Sequence, residues 1–411
     1  MDARRRMNAG DLLSLSLYWF GLNFHWGALL AIVVPAEVIR FVPDAEKGRA
    51  LSMVFAGGAA IAMIVSPIAG ALSDHSRFPM GRRRPFMLMG GILNAAAILL
   101  LGGAPTFAAF IVAYWFVQFS NNFGGSAYSG LIPDLVPADQ RGVASGWMGL
   151  MTMLGTIAAA VTAGQLFERG YRAEVYASIA AVLLVTLGIS VWRIHEQRPA
   201  STDRFKFSRF IRTFWINPRE HPDFAWLFAS RMLVLMGFYT VFNFLQFFIK
   251  DFMRIERYKE ATGTVGAAVV VGALLSAFTA GALSDRVGRR GIVCAAGVLM
   301  AIPGLTFLTR PSFTGLLGLA AVFGLGYGAF TSVDWALATD VLPSRDTAGK
   351  DLGIWGIAAT LPQVVAPLIG GPLLDIFNLR QPNLGYVVLF FVGAAYVLLG
   401  SVLVWKIRGA R

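Results

Sequence analysis

The pentapeptide Gly70-Ala71-Leu72-Ser73-Asp74 returns as Gly281-Ala282-Leu283-Ser284-Asp285, half a chain later. The first copy runs on as HSRFPMGRRRP and the second as RVGRRG. Each copy closes a long apolar run, then passes through an acid and a tight loop into clustered arginines: Arg82, Arg83 and Arg84 in the first, Arg289 and Arg290 in the second. A repeat on this scale means one architecture used twice, and it outranks any local reading. An apolar helix that ends in Asp before a basic loop is also how a membrane span leaves the bilayer on its cytoplasmic side. The chain therefore reads as two membrane-embedded halves, each with this hinge between its second and third spans.

Composition agrees. Of 411 residues, 56% are hydrophobic and 14% charged, where soluble domains carry about 25% charged residues. A span needs about 20 apolar residues, and twelve such runs occur: 12–36, 50–72, 86–103, 106–132, 143–166, 174–193, 223–249, 263–284, 292–309, 313–341, 350–374 and 385–405. The expected fold is an all-α membrane protein with twelve transmembrane helices in two pseudo-symmetric six-helix bundles. Residues 1–193 make the N-terminal bundle, 194–222 a cytoplasmic linker and 223–411 the C-terminal bundle.

The formal charge of +12 follows from topology rather than from nucleic-acid binding. With the N-terminus inside, about 23 of the 35 Lys and Arg fall in cytoplasmic segments and about 11 in outer loops, leaving Arg231 inside a span. Both termini are then cytoplasmic, and the expected location is a bacterial-type inner membrane. Cys294 stands alone, so no intrachain disulfide is expected. Arg4–Arg6 before an apolar stretch imitates a signal peptide, but the run is too long and lacks a small-residue cleavage site.

Polar residues inside the runs mark candidate function. The first carries Asn23, His25 and Trp26 near its middle and Glu37 at its outer end. Polar groups at mid-membrane face a bundle interior or a wet cavity, and His25 reads either as an interhelical hydrogen bond or as a substrate or proton group. In the fourth run Gln118, Asn121, Asn122, Gly125, Tyr128 and Ser129 recur at i, i+3, i+4, i+7, i+10 and i+11. A lipid-facing stripe of this kind is excluded. Its length favours the lining of a cavity over glue between two helices.

The motif Pro133-Asp134-Leu135-Val136-Pro137 is answered by Thr339-Asp340-Val341-Leu342-Pro343. The same offset carries Asn121 onto Tyr327, Gly125 onto Thr331 and Tyr128 onto Asp334, giving the tenth run its own polar face. The seventh run holds Arg231, then Tyr239, Asn243 and Gln246. Arg231 and Asp334 each lie about 13 Å from the inner ends of their helices. Opposite charges at equal depth invite a pair, either a static bridge or a functional one. Gly142 and Gly146, like Gly349 and Gly353, have GxxxG spacing and are expected at helix contacts. The apolar setting of Gly324, Gly326 and Gly328 points to close packing rather than a nucleotide loop. In the linker, Phe205, Phe207, Phe210 and Phe214 suggest a surface-lying helix. The four histidines have no metal spacing, and no catalytic frame is recognisable, so no enzyme, cofactor or metal site is expected.

Twelve runs in two similar halves, with GALSD, a loop and GRR after the second and the eighth, resemble the major facilitator superfamily over the whole chain. That resemblance implies two six-helix bundles around a cavity open alternately to either side. It also implies a charge relay at the inner gate, which falls here on Asp74, Arg82, Arg83, Asp134 and Arg141, and on Asp285, Arg289, Arg290 and Asp340. More narrowly, Gly21-x-x-Phe24-x-Trp26 with Pro35, the pair Asn121-Asn122 before Asp134-Leu135, and the SRFPMGRRRP loop are similar to those of sucrose–proton symporters. Two positions depart from that pattern. Gln118 stands where those symporters place a proton-carrying Asp, and Ser129 where they place a sugar-binding Arg. Neither sucrose nor that proton site carries over.

The expected function is a secondary transporter of a small polar solute, first a sugar or glycoside, by alternating access. The expected substrate set is Asn23, His25, Trp26, Gln118, Asn121, Asn122, Tyr128, Ser129, Arg231, Tyr239, Asn243, Gln246, Tyr327, Thr331 and Asp334. Coupling is expected through Asp334 with Arg231, or through His25, with a proton or alternatively sodium as the driving ion. The alternatives are a drug or metabolite exporter on the same fold and a non-transporting membrane receptor or assembly factor. The other partner is the lipid bilayer, and the chain reads as a monomer.

Overall fold

The computed structural model describes residues 6–194, 196, 217–341 and 348–407. The phenylalanines proposed for a surface helix in the linker lie outside them. Among the described residues the chain is predominantly helical and contains no strand. The long helices are α1 (Ala9–Phe41), α2 (Lys47–Asp74), α3 (Arg84–Gly102), α4 (Phe107–Ser129), α5 (Arg141–Glu168), α6 (Arg172–Arg193), α7 (Pro222–Phe252), α8 (Tyr258–Val287), α9 (Arg289–Thr306), α10 (Phe313–Asp340), α11 (Ala348–Arg380) and α12 (Leu384–Leu403). Eleven of them are long and apolar enough to cross a membrane. The twelfth, α4, has 23 residues, and its polar stripe lowers its hydropathy. The architecture is that of an all-α integral membrane protein, as the apolar runs require, because a spanning segment must satisfy its own backbone.

Local chemistry sets the helix starts. Asn8 and Asp11 form a capping box at α1. Thr106 caps α4 through Ala109 N–H at 3.2 Å, and Ser312 caps α10 through Gly315 N–H at 3.2 Å. These side chains satisfy donors that a first helical turn leaves free. Gly81 and Gly288 have φ of 105° and 99°, a region that favours glycine. Each therefore turns the chain just before the arginines of its repeat.

The helices cluster into two compact units. One holds the chain up to Glu37 and from Gly57 through α6; the other holds Val38–Ala56 with α7–α12. In the first, a side chain on Gly90 would meet the backbone of Gly124, so α3 and α4 touch main chain to main chain. In the second, side chains on Gly324 and Gly328 would meet the carbonyls of Val269 and Ala273, so α10 lies tightly on α8. Gly142 and Gly146 correct the sequence reading: a Cβ at either would meet nothing within 4 Å. Their GxxxG spacing marks an open face of α5, because the spacing permits close approach without supplying a neighbour.

Candidate functional site

In the first unit the polar face of α4 divides its work. Gln118 donates to the Tyr114 hydroxyl at 3.0 Å and accepts from Asn122 Nδ2 at 3.2 Å. Asn121 accepts from Asn94 of α3 at 3.3 Å. Tyr128 is buried; its hydroxyl donates to the Leu15 carbonyl at 2.5 Å and accepts the Trp19 N–H at 3.2 Å. Asn121 and Tyr128 thus tie α4 to α3 and α1. Asn122 remains half-buried, and Ser129 is exposed with its hydroxyl on the Gly125 carbonyl at 3.0 Å.

On α1, Asn23 donates to the Trp19 carbonyl at 2.8 Å and to the Thr152 hydroxyl of α5 at 3.4 Å. His25 is fully buried, and neither ring nitrogen has a hydrogen-bond partner. Its ring lies 4.4 Å from that of Trp26, centroid to centroid. A buried polar group without a partner costs free energy and calls for an explanation.

In the second unit Arg231 of α7 and Asp334 of α10 form the ion pair that equal depth suggested. The Asp334 side chain is 2% exposed and that of Arg231 15%. The Arg231 guanidinium also lies 3.5 Å above the Trp355 ring of α11, and Trp335 meets Trp355 edge-on at 4.9 Å. Phe238 stacks on Tyr327 at 4.4 Å and meets Tyr239 edge-on at 5.2 Å. Thr331 donates to the Gly328 carbonyl at 3.1 Å, and Asn243 and Gln246 are buried near the break in α7. Trp355 is absent from the sequence-derived set, because one tryptophan in an apolar run carries no signal of its partners.

The repeated basic loop builds a charge knot in the first unit. Arg83 reaches Asp74 at 2.6 Å, pairs with Asp134 through Nε, and donates to the Ser73 hydroxyl at 3.3 Å. Arg82 adds a second contact to Asp134 at 2.5 Å. Burial would raise the Asp134 carboxyl, but hydrogen bonds from Arg83 and Arg82 outweigh it and hold the group below its ordinary range. Arg141 donates to the Val136 carbonyl at 3.4 Å. Glu196, beyond α6, accepts the Arg83 backbone N–H at 2.9 Å. Burial pushes its carboxyl above the ordinary range despite those backbone donors. Nothing in its own surroundings in the sequence marks it. In the second copy Arg289 pairs with Asp340, Arg290 is half-buried, and the side chain of Asp285 lies outside the described residues.

A further cluster sits where α2 begins, within the second unit. Lys47 is buried, bonding Asp251 at 2.5 Å and Asp44 at 3.1 Å, and the Tyr386 hydroxyl donates to Asp251. Asp375 of α11 accepts the N–H groups of Gly48 and Arg49 at 2.9 and 2.8 Å. The Ser52 hydroxyl donates to the Pro367 carbonyl. The sequence reading ends the eleventh run at residue 374, one short of Asp375, and so passes over it.

Long apolar helices, buried polar groups within them and ionic knots at their ends define a polytopic helical membrane protein. The chain belongs to the MFS/sugar transport protein family, whose profile matches residues 47–404. A sucrose transport protein of Arabidopsis thaliana, SUC4, is 23% identical over 91% of this chain and 86% of its own length. The multidrug resistance protein MdtG of Escherichia coli is likewise 23% identical, over 96% and 94%. Among solved structures, a bacterial homologue of the human lysosomal transporter Spinster superposes with a TM-score of 0.74 at 18% identity, covering 97% and 98%. The nucleoside transporter NupG gives 0.75 at 13% identity, covering 98% and 99%. At these identities the structures speak for the fold.

Proposed function

We propose that this chain carries a neutral sugar or glycoside across a bacterial inner membrane, coupled to protons, with both termini cytoplasmic. The observation that carries the reading is the pairing of Gln118 with Asn122 on α4, with exposed Ser129 about two turns further along the same helix. Uncharged amides and hydroxyls, with aromatic neighbours, supply the hydrogen bonding and ring stacking that a sugar requires. The similarity to sucrose transport proteins points the same way. The binding set extends through Asn23, His25, Trp26, Asn121 and Tyr128 to Tyr239, Asn243, Gln246, Tyr327 and Thr331, with Asn121 and Tyr128 acting by positioning α3 and α1. Residues 1–193 and 223–411 act as the two repeats, joined by 194–222, and one chain suffices.

Asp334 is the carboxylate that carries the proton, and Arg231 is its counter-ion when it is ionised. His25, buried and unpartnered, is the second titratable group within the membrane. Asp74, Arg82, Arg83, Asp134 and Arg141, with Asp285, Arg289, Arg290 and Asp340, form the cytoplasmic lock. Sodium is the alternative coupling ion.

Uptake of labelled sucrose, maltose and methyl glucoside into proteoliposomes under an imposed pH gradient tests the reading. Accumulation that collapses with the gradient supports it. Transport of hydrophobic cations with no sugar uptake would replace it by the exporter reading, which the similarity to MdtG favours.

A further inference from the structure

Two buried donors stand side by side in the second unit with nothing to accept from them. Arg231 commits Nη1 to Asp334, but its Nε is buried and has no hydrogen-bond partner. Trp355 is 3% exposed, and its indole Nε1 is also buried without a partner. The guanidinium lies 3.5 Å over the indole ring, so one donor sits on the face of the ring and the other on its rim. A buried donor left unmade costs its desolvation, about 1–3 kcal/mol each. Native structures keep such groups few, and each one calls for an explanation. Asp334 engages Nη1 and leaves these two donors without an acceptor.

We propose that Trp355 and the Nε of Arg231 form a two-donor hook that selects the solute by an uncharged oxygen acceptor, a sugar hydroxyl. This rests on the sugar-transport reading and names the chemistry by which one corner of the site chooses. Asp334 already balances the charge of Arg231, so a neutral oxygen fits without burying a further charge. A solute whose polar groups are only cationic or donating would set donor against donor. That difference turns the pair into a discriminator against cations, since rejection by an unpaired buried donor is steeper than rejection by shape. Trp355 would therefore be a specificity-determining residue, reaching the solute with its N–H and holding Arg231 flat with its ring.

The test replaces Trp355 by β-(3-benzothienyl)alanine, which keeps shape and stacking and removes only the N–H, and in parallel makes Trp355→Phe. Equilibrium binding of sucrose, maltose, methyl glucoside and their monodeoxy analogues to purified protein is then measured. The expected result is a loss of about tenfold in affinity for the parent sugar. That loss should disappear for the one deoxy analogue lacking the accepting oxygen, while the unfolding temperature without sugar does not fall below the wild-type value, since the unpaired donor is gone. Unchanged affinity in the benzothienyl variant overturns the hook while leaving sugar transport standing. An equal loss across every deoxy analogue also overturns it, making Trp355 a packing residue. Wild-type protein that binds none of the sugars removes the transport reading and the hook together.

Discussion

Asp375 accepts the backbone N–H of Gly48 at 2.9 Å, so a carboxylate of α11 caps the first turn of α2. Its other oxygen takes the Arg49 N–H at 2.8 Å. A carboxylate here meets both free donors and the positive end of the helix dipole. Asp375→Ala removes both bonds and should cost about 2 kcal/mol of stability, read as a lower unfolding temperature in detergent. Asp375→Asn keeps one acceptor and should lose less. Equal unfolding temperatures for wild type and Asp375→Ala would show that the cap contributes nothing.

Arg83 serves two carboxylates through one planar group, with Asp74 at 2.6 Å and Asp134 on its Nε. Lysine offers a single point charge and cannot hold both in that geometry. Arg83→Lys should change the initial transport rate by about tenfold while moving equilibrium solute affinity by less than about twofold, since a gate alters access and not the binding contacts. Asp74→Asn should act more weakly, because Asp134 keeps Arg83 and Arg82. A fall in affinity that matches the fall in rate would place the knot in the binding site instead.

The same knot has an acid limit. The Asp134 carboxyl is held below its ordinary value of 3.8. A group whose folded value is depressed contributes stability above its unfolded value and loses that contribution as pH falls through the folded one. Stability from this pair should be constant above about pH 5 and decline below the ordinary value of 3.8. Unfolding temperature followed from pH 6 downward in wild type and Asp134→Asn checks it. The variant should be less stable at pH 6 and should lose part of the acid sensitivity. Parallel curves would mean that Asp134 takes no part.

Much of this was legible in the sequence because it is local. Apolar runs give spans, and a duplicated pentapeptide gives the internal repeat. The helices outrun the runs where partners hide polar groups. The first run stops at residue 36, yet α1 continues to Phe41 because Glu37 is paired with Arg172 and Arg40 lies over the Phe41 ring at 4.1 Å. The Arg231–Asp334 pair was readable because equal depth in a membrane is a one-dimensional property. Asp375 on Gly48, Glu196 on Arg83 and Trp355 under Arg231 were not, since each depends on which helices are neighbours. Asn121 shows the limit from the other side. Its place in the stripe is a fact of periodicity, but whether it faces a cavity or Asn94 is decided by α3.

Asp334→Asn is the variant on which the coupling proposal stands. The side chain is 2% exposed and paired with Arg231, and asparagine nearly preserves its shape while removing the ability to take and give a proton. Exchange of solute between two equally loaded compartments needs only reorientation of the carrier, whereas accumulation needs a proton to travel with the solute. Asp334→Asn should therefore retain counterflow exchange within about a factor of three of wild type and lose accumulation driven by a pH gradient. The substitution leaves Arg231 without its partner, a cost of about 3–5 kcal/mol for a buried pair. The double variant Arg231→Gln with Asp334→Asn restores neutrality and separates lost coupling from lost folding. If either variant still concentrates solute against its gradient, the proton travels elsewhere and His25, buried without a partner, becomes the residue to change. If exchange and accumulation fail together in the single variant and both return in the double, the pair is a static brace and carries no proton.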